Sequence, residues 1–231
     1  AASGLGSSSS FCVGLLHALH VHRRERVSSG QLAEEAAHIE INVLKRPIGK
    51  QDHFAAAYGG INFLLFLPCG AVTVEPQRIP ANEQNNLFDY ILMFWTRITH
   101  DSREILSEQK KNIEARRQDL RTMRDHAYHF QTLTRKGLEI RELGALLDES
   151  WKLKRNLAST ITTDSIDEWH RKAMKAGALG GKLCGAGGGG FLMFLVPPEK
   201  HADVRRALDD LPEMPIKPEP HGSRVLTPYA D

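Results

Sequence analysis

Apolar residues recur at helical spacing in several blocks of the chain, separated by short polar or glycine-rich breaks. Phe11 to His22 and Gln31 to Leu44 predict helices, the second with Leu32, Ala36, Ile39 and Val43 along one side. Two β-rich runs follow, Ile61 to Leu67 and Ala71 to Glu75, and the Pro68-Cys69-Gly70 turn between them predicts a strand pair. Tyr90 to Trp95 reads as a buried strand. From Asp101 to Arg135 the chain is highly charged, yet Ile113, Leu120, Met123, Ala127, Phe130 and Leu133 are spaced for one long amphipathic helix or two, with the charges as the solvated face. Further helices are predicted over Ile140 to Lys154, Ser165 to Ala176 and Glu199 to Leu208, and a strand over Phe191 to Val196.

Composition adds exclusions. Hydrophobic residues make up 41% and charged residues 25%, ordinary for a chain able to bury a core. The formal net charge of +2 gives no basic face for nucleic acid, so no nucleic-acid partner is expected. No apolar run is long enough to span a membrane, and no membrane partner is expected. The three cysteines, Cys12, Cys69 and Cys184, are widely spaced and offer no disulfide or zinc framework, which fits a reducing, cytoplasmic location. His17, His20 and His22 lack a carboxylate or thiolate to complete a metal site.

Three segments carry candidate chemistry. Gly4-Leu5-Gly6-Ser7-Ser8-Ser9-Ser10 precedes the first apolar helix; it reads either as a phosphate cradle at a helix N-terminus or as a flexible linker ending in a serine cap. Gly180-Gly181-Lys182-Leu183-Cys184-Gly185-Ala186-Gly187-Gly188-Gly189-Gly190 concentrates glycines where a backbone must approach something closely. A Walker A loop is excluded, because Leu183 stands where Ser or Thr is needed, and a dinucleotide loop is disfavoured, because the glycines precede a strand. Lys182 either approaches phosphate or snorkels at a domain edge, and Cys184 reads as a packing residue. The third segment, Ile48-Gly49-Lys50-Gln51-Asp52-His53 leading into Phe54-Ala55-Ala56-Ala57-Tyr58-Gly59-Gly60, places Asp52 either as a helix N-cap or as a functional carboxylate.

In this order the three segments resemble the GHMP kinases, and within them the sugar-phosphate kinases that act on D-glycero-D-manno-heptose 7-phosphate. Ile105-Leu106-Ser107-Glu108-Gln109, Glu149-Ser150-Trp151-Lys152-Leu153-Lys154 and Gly177 to Lys182 agree as well, so the likeness runs along essentially the whole chain. It departs at Thr96-Arg97-Ile98-Thr99-His100, where those kinases tend to show Thr-Gly-x-Thr-Arg. The family's first motif would precede Ala1, so the chain is expected to be truncated.

The resemblance implies an α+β fold of two domains: residues 1–86, the remainder of an α/β ATP-binding domain with a left-handed βαβ crossover, and 87–231, a ferredoxin-like C-terminal domain. It implies ATP and Mg²⁺ as cofactors and transfer of the γ-phosphoryl group to a small sugar or sugar-phosphate, with a homodimer as the assembly to be tested. ATP would be held by Gly4, Leu5, Gly6, Ser7, Ser8 and Ser9 and by the backbone N–H groups of Gly185, Ala186, Gly187, Gly188 and Gly189. Ser8 and Glu40 would hold the metal, although Glu40 taken alone reads as a surface helix glutamate. Asp52 would be catalytic, orienting and deprotonating the acceptor hydroxyl. Gly187, Arg97 and His100, with Lys152 as a further cation, would meet the substrate, whose phosphate calls for a positive partner. L-fucose and mevalonate-like acids are the runner-up acceptors. A non-catalytic nucleotide- or sugar-binding homologue is the alternative of a different class, favoured by the missing first motif and opposed by the presence of Ser8, Glu40 and Asp52.

Overall fold

The computed structural model describes residues 4–99 and 102–226, which form two compact units. Of these, residues 6–77 and 219–226 make the first; Gly4, Leu5 and the described residues of 78–218 belong to the second. His100 lies outside the described residues.

In the first unit three helices, α1 (Ser7–His22), α2 (Ser29–Ala37) and α3 (Gln51–Tyr58), close around Val13, Leu32, Ala33, Ala36, Phe54 and Ala57. The alanines let the helices approach closely, while each buried Leu or Phe contributes roughly 1.5–3 kcal/mol. Ser28 caps α2, its hydroxyl accepting from the Gln31 N–H at 3.2 Å. α1 begins earlier than its apolar pattern predicts, because Gly6 takes a left-handed conformation (φ 65°) and the serines form the first turn. The helix predicted over Gln31 to Leu44 is corrected more deeply: α2 ends at Ala37 and His38–Val43 wind as a π-helical turn. The wider turn changes the phase of the side chains. Glu40 rotates into the core at 2% exposure, and Val43 of the expected apolar stripe points outward at 62%. The hairpin of β1 (Asn62–Phe66) and β2 (Val72–Pro76) pairs antiparallel with Leu64 opposite Val74.

The second unit contains α4 (Ala81–Asp89), β3 (Ile91–Trp95), α5 (Ser102–Asn112), α6 (Arg117–Lys136), α7 (Ile140–Arg155), α8 (Asp164–Lys175), β4 (Gly180–Leu183), β5 (Phe191–Leu195) and α9 (His201–Ala207). The expected domain boundary at 86/87 lies within α4. β5 lies between β3 and β4 and is antiparallel to both, so β3 and β4 run parallel. On the free side of β3 the chain returns as an isolated fourth edge segment at the Phe94–Glu213 bridge, with Trp95 N–H to Pro212 O and Met214 N–H to Met93 O, each 2.8 Å. In chain order the strands lie fourth, first, third, second, the split βαβ arrangement of a ferredoxin-like sheet. Trp151, Ile105, Ile161, Ile166, Phe194 and Leu208 fill its core.

Two glycines of the long glycine block are packing devices. A Cβ on Gly180 would lie 1.9 Å from the Gly144 carbonyl oxygen of α7, and one on Gly181 would lie 2.2 Å from the Phe194 ring. Only glycine lets α7 lie directly on β4.

Candidate active site

The first glycine-serine loop ends on Asp52. The Gly6 backbone packs so closely that a Cβ there would sit 3.1 Å from the Asp52 Cβ and Cγ. Behind Gly6, α1 has no side-chain cap, so the N–H groups of its first turn, including those of Ser7, Ser8 and Ser9, lack intrahelical partners and present the positive end of the helix dipole. Leu5 is partly exposed, and Gly4, in the second unit, packs its backbone on Cys184 and Gly185.

Asp52 is not an N-cap. It lies within the first turn of α3, where Lys50 holds the cap position without a side-chain bond. More than a third of its surface is open, yet the protein crowds its carboxyl. Desolvation raises its pKa, His53 pulls the other way, and Glu40 adds to the rise.

Glu40 is the centre of a buried polar cluster. Ser8 Oγ donates to Oε1 at 2.5 Å, Ser9 Oγ to Oε2 at 3.0 Å, and His53 Nε2 to Oε2 at 2.8 Å. Burial pushes the Glu40 pKa up, but the bonds from Ser8, Ser9 and His53 outweigh it and leave the pKa below the ordinary value. His53 is fully buried, and its Nδ1 has no partner among the described residues. The π-helical turn supplies the final member. Lys45 takes a left-handed conformation (φ 55°), the Arg46 N–H donates to the Glu40 carbonyl at 2.9 Å, and the Arg46 guanidinium folds back onto both Glu40 Oε1 and Ser8 Oγ.

This pair of oxygens suits a magnesium ion. Among the described residues no group of three or more His, Cys, Asp or Glu side chains is placed for a metal. Mg²⁺ bound with nucleotide needs fewer: one or two protein oxygens, the rest being phosphate and water. The guanidinium of Arg46 already places a positive charge on the same two oxygens.

In the second unit the other glycine loop is threaded between two segments. Gly188 N–H donates to Ile161 O at 2.8 Å, Gly190 N–H to Ile98 O at 2.9 Å, and Thr96 Oγ1 to Gly190 O at 2.8 Å. The expectation that every N–H of this loop faces a ligand is therefore corrected: Gly188 spends its donor anchoring the loop. Gly185, Ala186, Gly187 and Gly189 have N–H groups without a protein partner among the described residues. Arg97 adjoins the loop in a left-handed conformation (φ 59°) with its side chain exposed.

Lys152 is turned elsewhere, paired with Asp148 at 2.7 Å, and that hydrogen bond raises its pKa. Lys154 reaches the loop instead, donating to the Gly185 carbonyl. Sequence reasoning also missed Arg46 and His53. No spacing rule signals a residue whose direction depends on a π-helical turn; His53, directly after Asp52, lay within the segment already singled out.

Residues 1–60 match the model of the GHMP kinases N terminal domain, and residues 134–214 that of the GHMP kinases C terminal. Together these matches cover more than half of the sequence, and the chain belongs to the GHMP kinase family. A D-glycero-alpha-D-manno-heptose 7-phosphate kinase from Campylobacter jejuni is 31% identical over 89% of this chain and 61% of its own length. A galactokinase from Pyrococcus furiosus is 26% identical over 89% of this chain and 64% of its own. The crystal structure of a D-glycero-D-manno-heptose 1-phosphate kinase from Bacteriodes thetaiotaomicron superposes with a TM-score of 0.75 at 27% identity, over 96% of this chain and 63% of that one. The chain thus spans about three fifths of the length of these relatives.

Proposed function

We propose that the protein is an ATP-dependent sugar kinase that phosphorylates the anomeric hydroxyl of D-glycero-D-manno-heptose 7-phosphate. The observation that carries this reading is the convergence, within one unit, of an uncapped helix N-terminus, a carboxylate of raised pKa against its glycine, and a Ser8–Glu40 oxygen pair that already attracts a cation. The identity to a heptose 7-phosphate kinase supports the choice of acceptor.

The first turn of α1 would receive phosphate oxygens on its free N–H groups, and Gly6 leaves room for that approach beside Asp52. Ser8 and Glu40 would hold Mg²⁺, which when bound neutralises phosphate charge. Glu40 must be ionised for this, and its three hydrogen bonds keep it so. His53 fixes the carboxylate orientation from behind. Asp52 would accept the hydroxyl proton on a carboxylate oxygen, and desolvation brings its pKa closer to that of a useful base at neutral pH.

Asp52→Asn tests the reading. We expect kcat to fall by roughly 10²–10⁴ with ATP affinity nearly unchanged. Turnover close to wild type would return Asp52 to a structural role. A panel measured by coupled ADP release separates the acceptors: equal or better kcat/KM on L-fucose or mevalonate would overturn the heptose assignment alone.

A further inference from the structure

The Glu40 carboxylate has a donor on each of its acceptor sites. Oε1 accepts from Ser8 Oγ and Arg46, and Oε2 from Ser9 Oγ at 3.0 Å and His53 Nε2 at 2.8 Å. A carboxylate offers about four lone-pair sites in all, so a metal ion can bond this one only where a donor withdraws. The four donors are not equally free to leave. Ser8 and Ser9 are fixed in the first turn of α1, and His53 is fully buried in α3. Arg46 reaches the cluster by a long side chain that is 43% exposed, and it donates to Ser8 Oγ as well. Its backbone is held independently: the Arg46 N–H donates to Glu40 O at 2.9 Å, Lys45 before it is left-handed, and Pro47 follows. The guanidinium can therefore swing into solvent while the turn that carries it persists. It cannot share the pair of oxygens with a metal ion, because the two cations compete for the same lone pairs and repel. Yet among the described residues Arg46 is the only lysine or arginine paired with Glu40, whose carboxylate is buried, and a buried charge stripped of its partner is costly.

We propose that Arg46 is an exchangeable counter-ion of Glu40: it holds the Ser8–Glu40 pair when no metal is bound, gives the pair up to a divalent cation, and so sets the metal affinity of the site. This rests on the reading above, in which Ser8 and Glu40 hold magnesium. The consequence is a trade. The same side chain stabilises the metal-free protein and weakens metal binding, whereas an arginine that only braced the site would favour both.

Binding of Mn²⁺ to the nucleotide-free protein, followed by loss of the paramagnetic resonance signal of the free ion with Mg²⁺ as competitor, measures the affinity directly. Melting temperatures in EDTA and in saturating Mg²⁺ measure the other half of the trade. The variants are Arg46→Met, Arg46→Lys, Lys45→Met and Glu40→Gln. We expect Arg46→Met to bind Mn²⁺ about fivefold or more tightly than wild type, as a competing ion pair is removed. It should melt below wild type in EDTA, and the gap should close in saturating Mg²⁺. Arg46→Lys keeps the charge without the fork across two oxygens and should fall between on both measures. Should Arg46→Met not fold, Arg46→Lys decides by the same pair of signs. Lys45 is exposed, and Lys45→Met removes a neighbouring charge that solvent screens, so its affinity should stay within about twofold of wild type. Glu40→Gln should lose the ion. Equal or weaker Mn²⁺ binding by Arg46→Met, or equal tightening by Lys45→Met, would overturn the exchange while leaving the metal assignment intact. Mn²⁺ binding by none of the proteins, or undiminished binding by Glu40→Gln, would remove the metal assignment and the exchange together.

Discussion

Asp52 ionised at neutral pH costs the folded state free energy. Its pKa is raised by desolvation, so the folded protein holds that proton more tightly than the unfolded chain. The resulting stabilisation is complete below the ordinary carboxylate range and is lost as pH rises through the folded pKa. Asn cannot ionise. We therefore expect Asp52→Asn to melt higher than wild type at pH 7, and the gap to close as pH falls below the carboxylate range; a gap independent of pH would remove the argument. The same substitution lowers turnover, so a functional carboxylate and a merely structural one give opposite signatures. Glu40 differs because its partners favour the charged form. Ser8→Ala and Glu40→Gln should each raise the Mg²⁺ concentration needed for half-maximal activity, since each removes an oxygen ligand. Magnesium titrations that overlay the wild type would dismiss the pair as ligands.

At the scale of elements, the glycines of a helix and of a loop do different work. A Cβ on Gly189 would lie 2.4 Å from the Ile98 carbonyl oxygen, whereas one on Gly14, inside α1, meets nothing within 4 Å. We expect Gly14→Ala to stabilise the protein by roughly 0.5–1 kcal/mol, because alanine is the better helix former. Gly189→Ala should destabilise it by forcing the loop off its anchors, and urea titration of both variants reads the two signs. The sequence announced the elements whose apolar residues keep one period: β3 and β5 as buried runs, α7 and α8 to within a residue or so. It could not announce α4, an Asn-rich segment with Leu87 as its one buried residue, nor β4, half glycine and hence poor in β propensity. The inward turn of Glu40 was hidden for a sharper reason. A π-helical turn shifts side-chain phase without leaving a compositional mark, so a glutamate read as surface became the centre of a buried cluster. Lys152 and Lys154 show the matching ambiguity on a regular helix. Two residues turn a helix by about 200°, and only the face that α7 presses on β4 decides which lysine meets the loop.

At the scale of the whole molecule, the chain builds two cores from different materials. The first unit depends on small residues, Ala33, Ala36 and Ala57, around Leu32 and Phe54; the second is filled by large side chains, Trp151, Phe94, Phe194, Ile161 and Leu192. Each core closes within its own unit. Compact units with separate cores unfold with their own free energies, so one melting temperature need not describe the chain. We expect calorimetry to resolve two transitions, and truncations in the cores to assign them. Leu32→Ala, at a position 1% exposed, should cost about 2–5 kcal/mol and lower only the transition of the first unit. Leu192→Ala, fully buried in the second sheet, should lower only the other by a similar amount. ADP adds an independent marker, since a ligand raises the melting of whatever unit binds it. If both substitutions move a single transition together, the units unfold as one body and the assignment of separate cores fails.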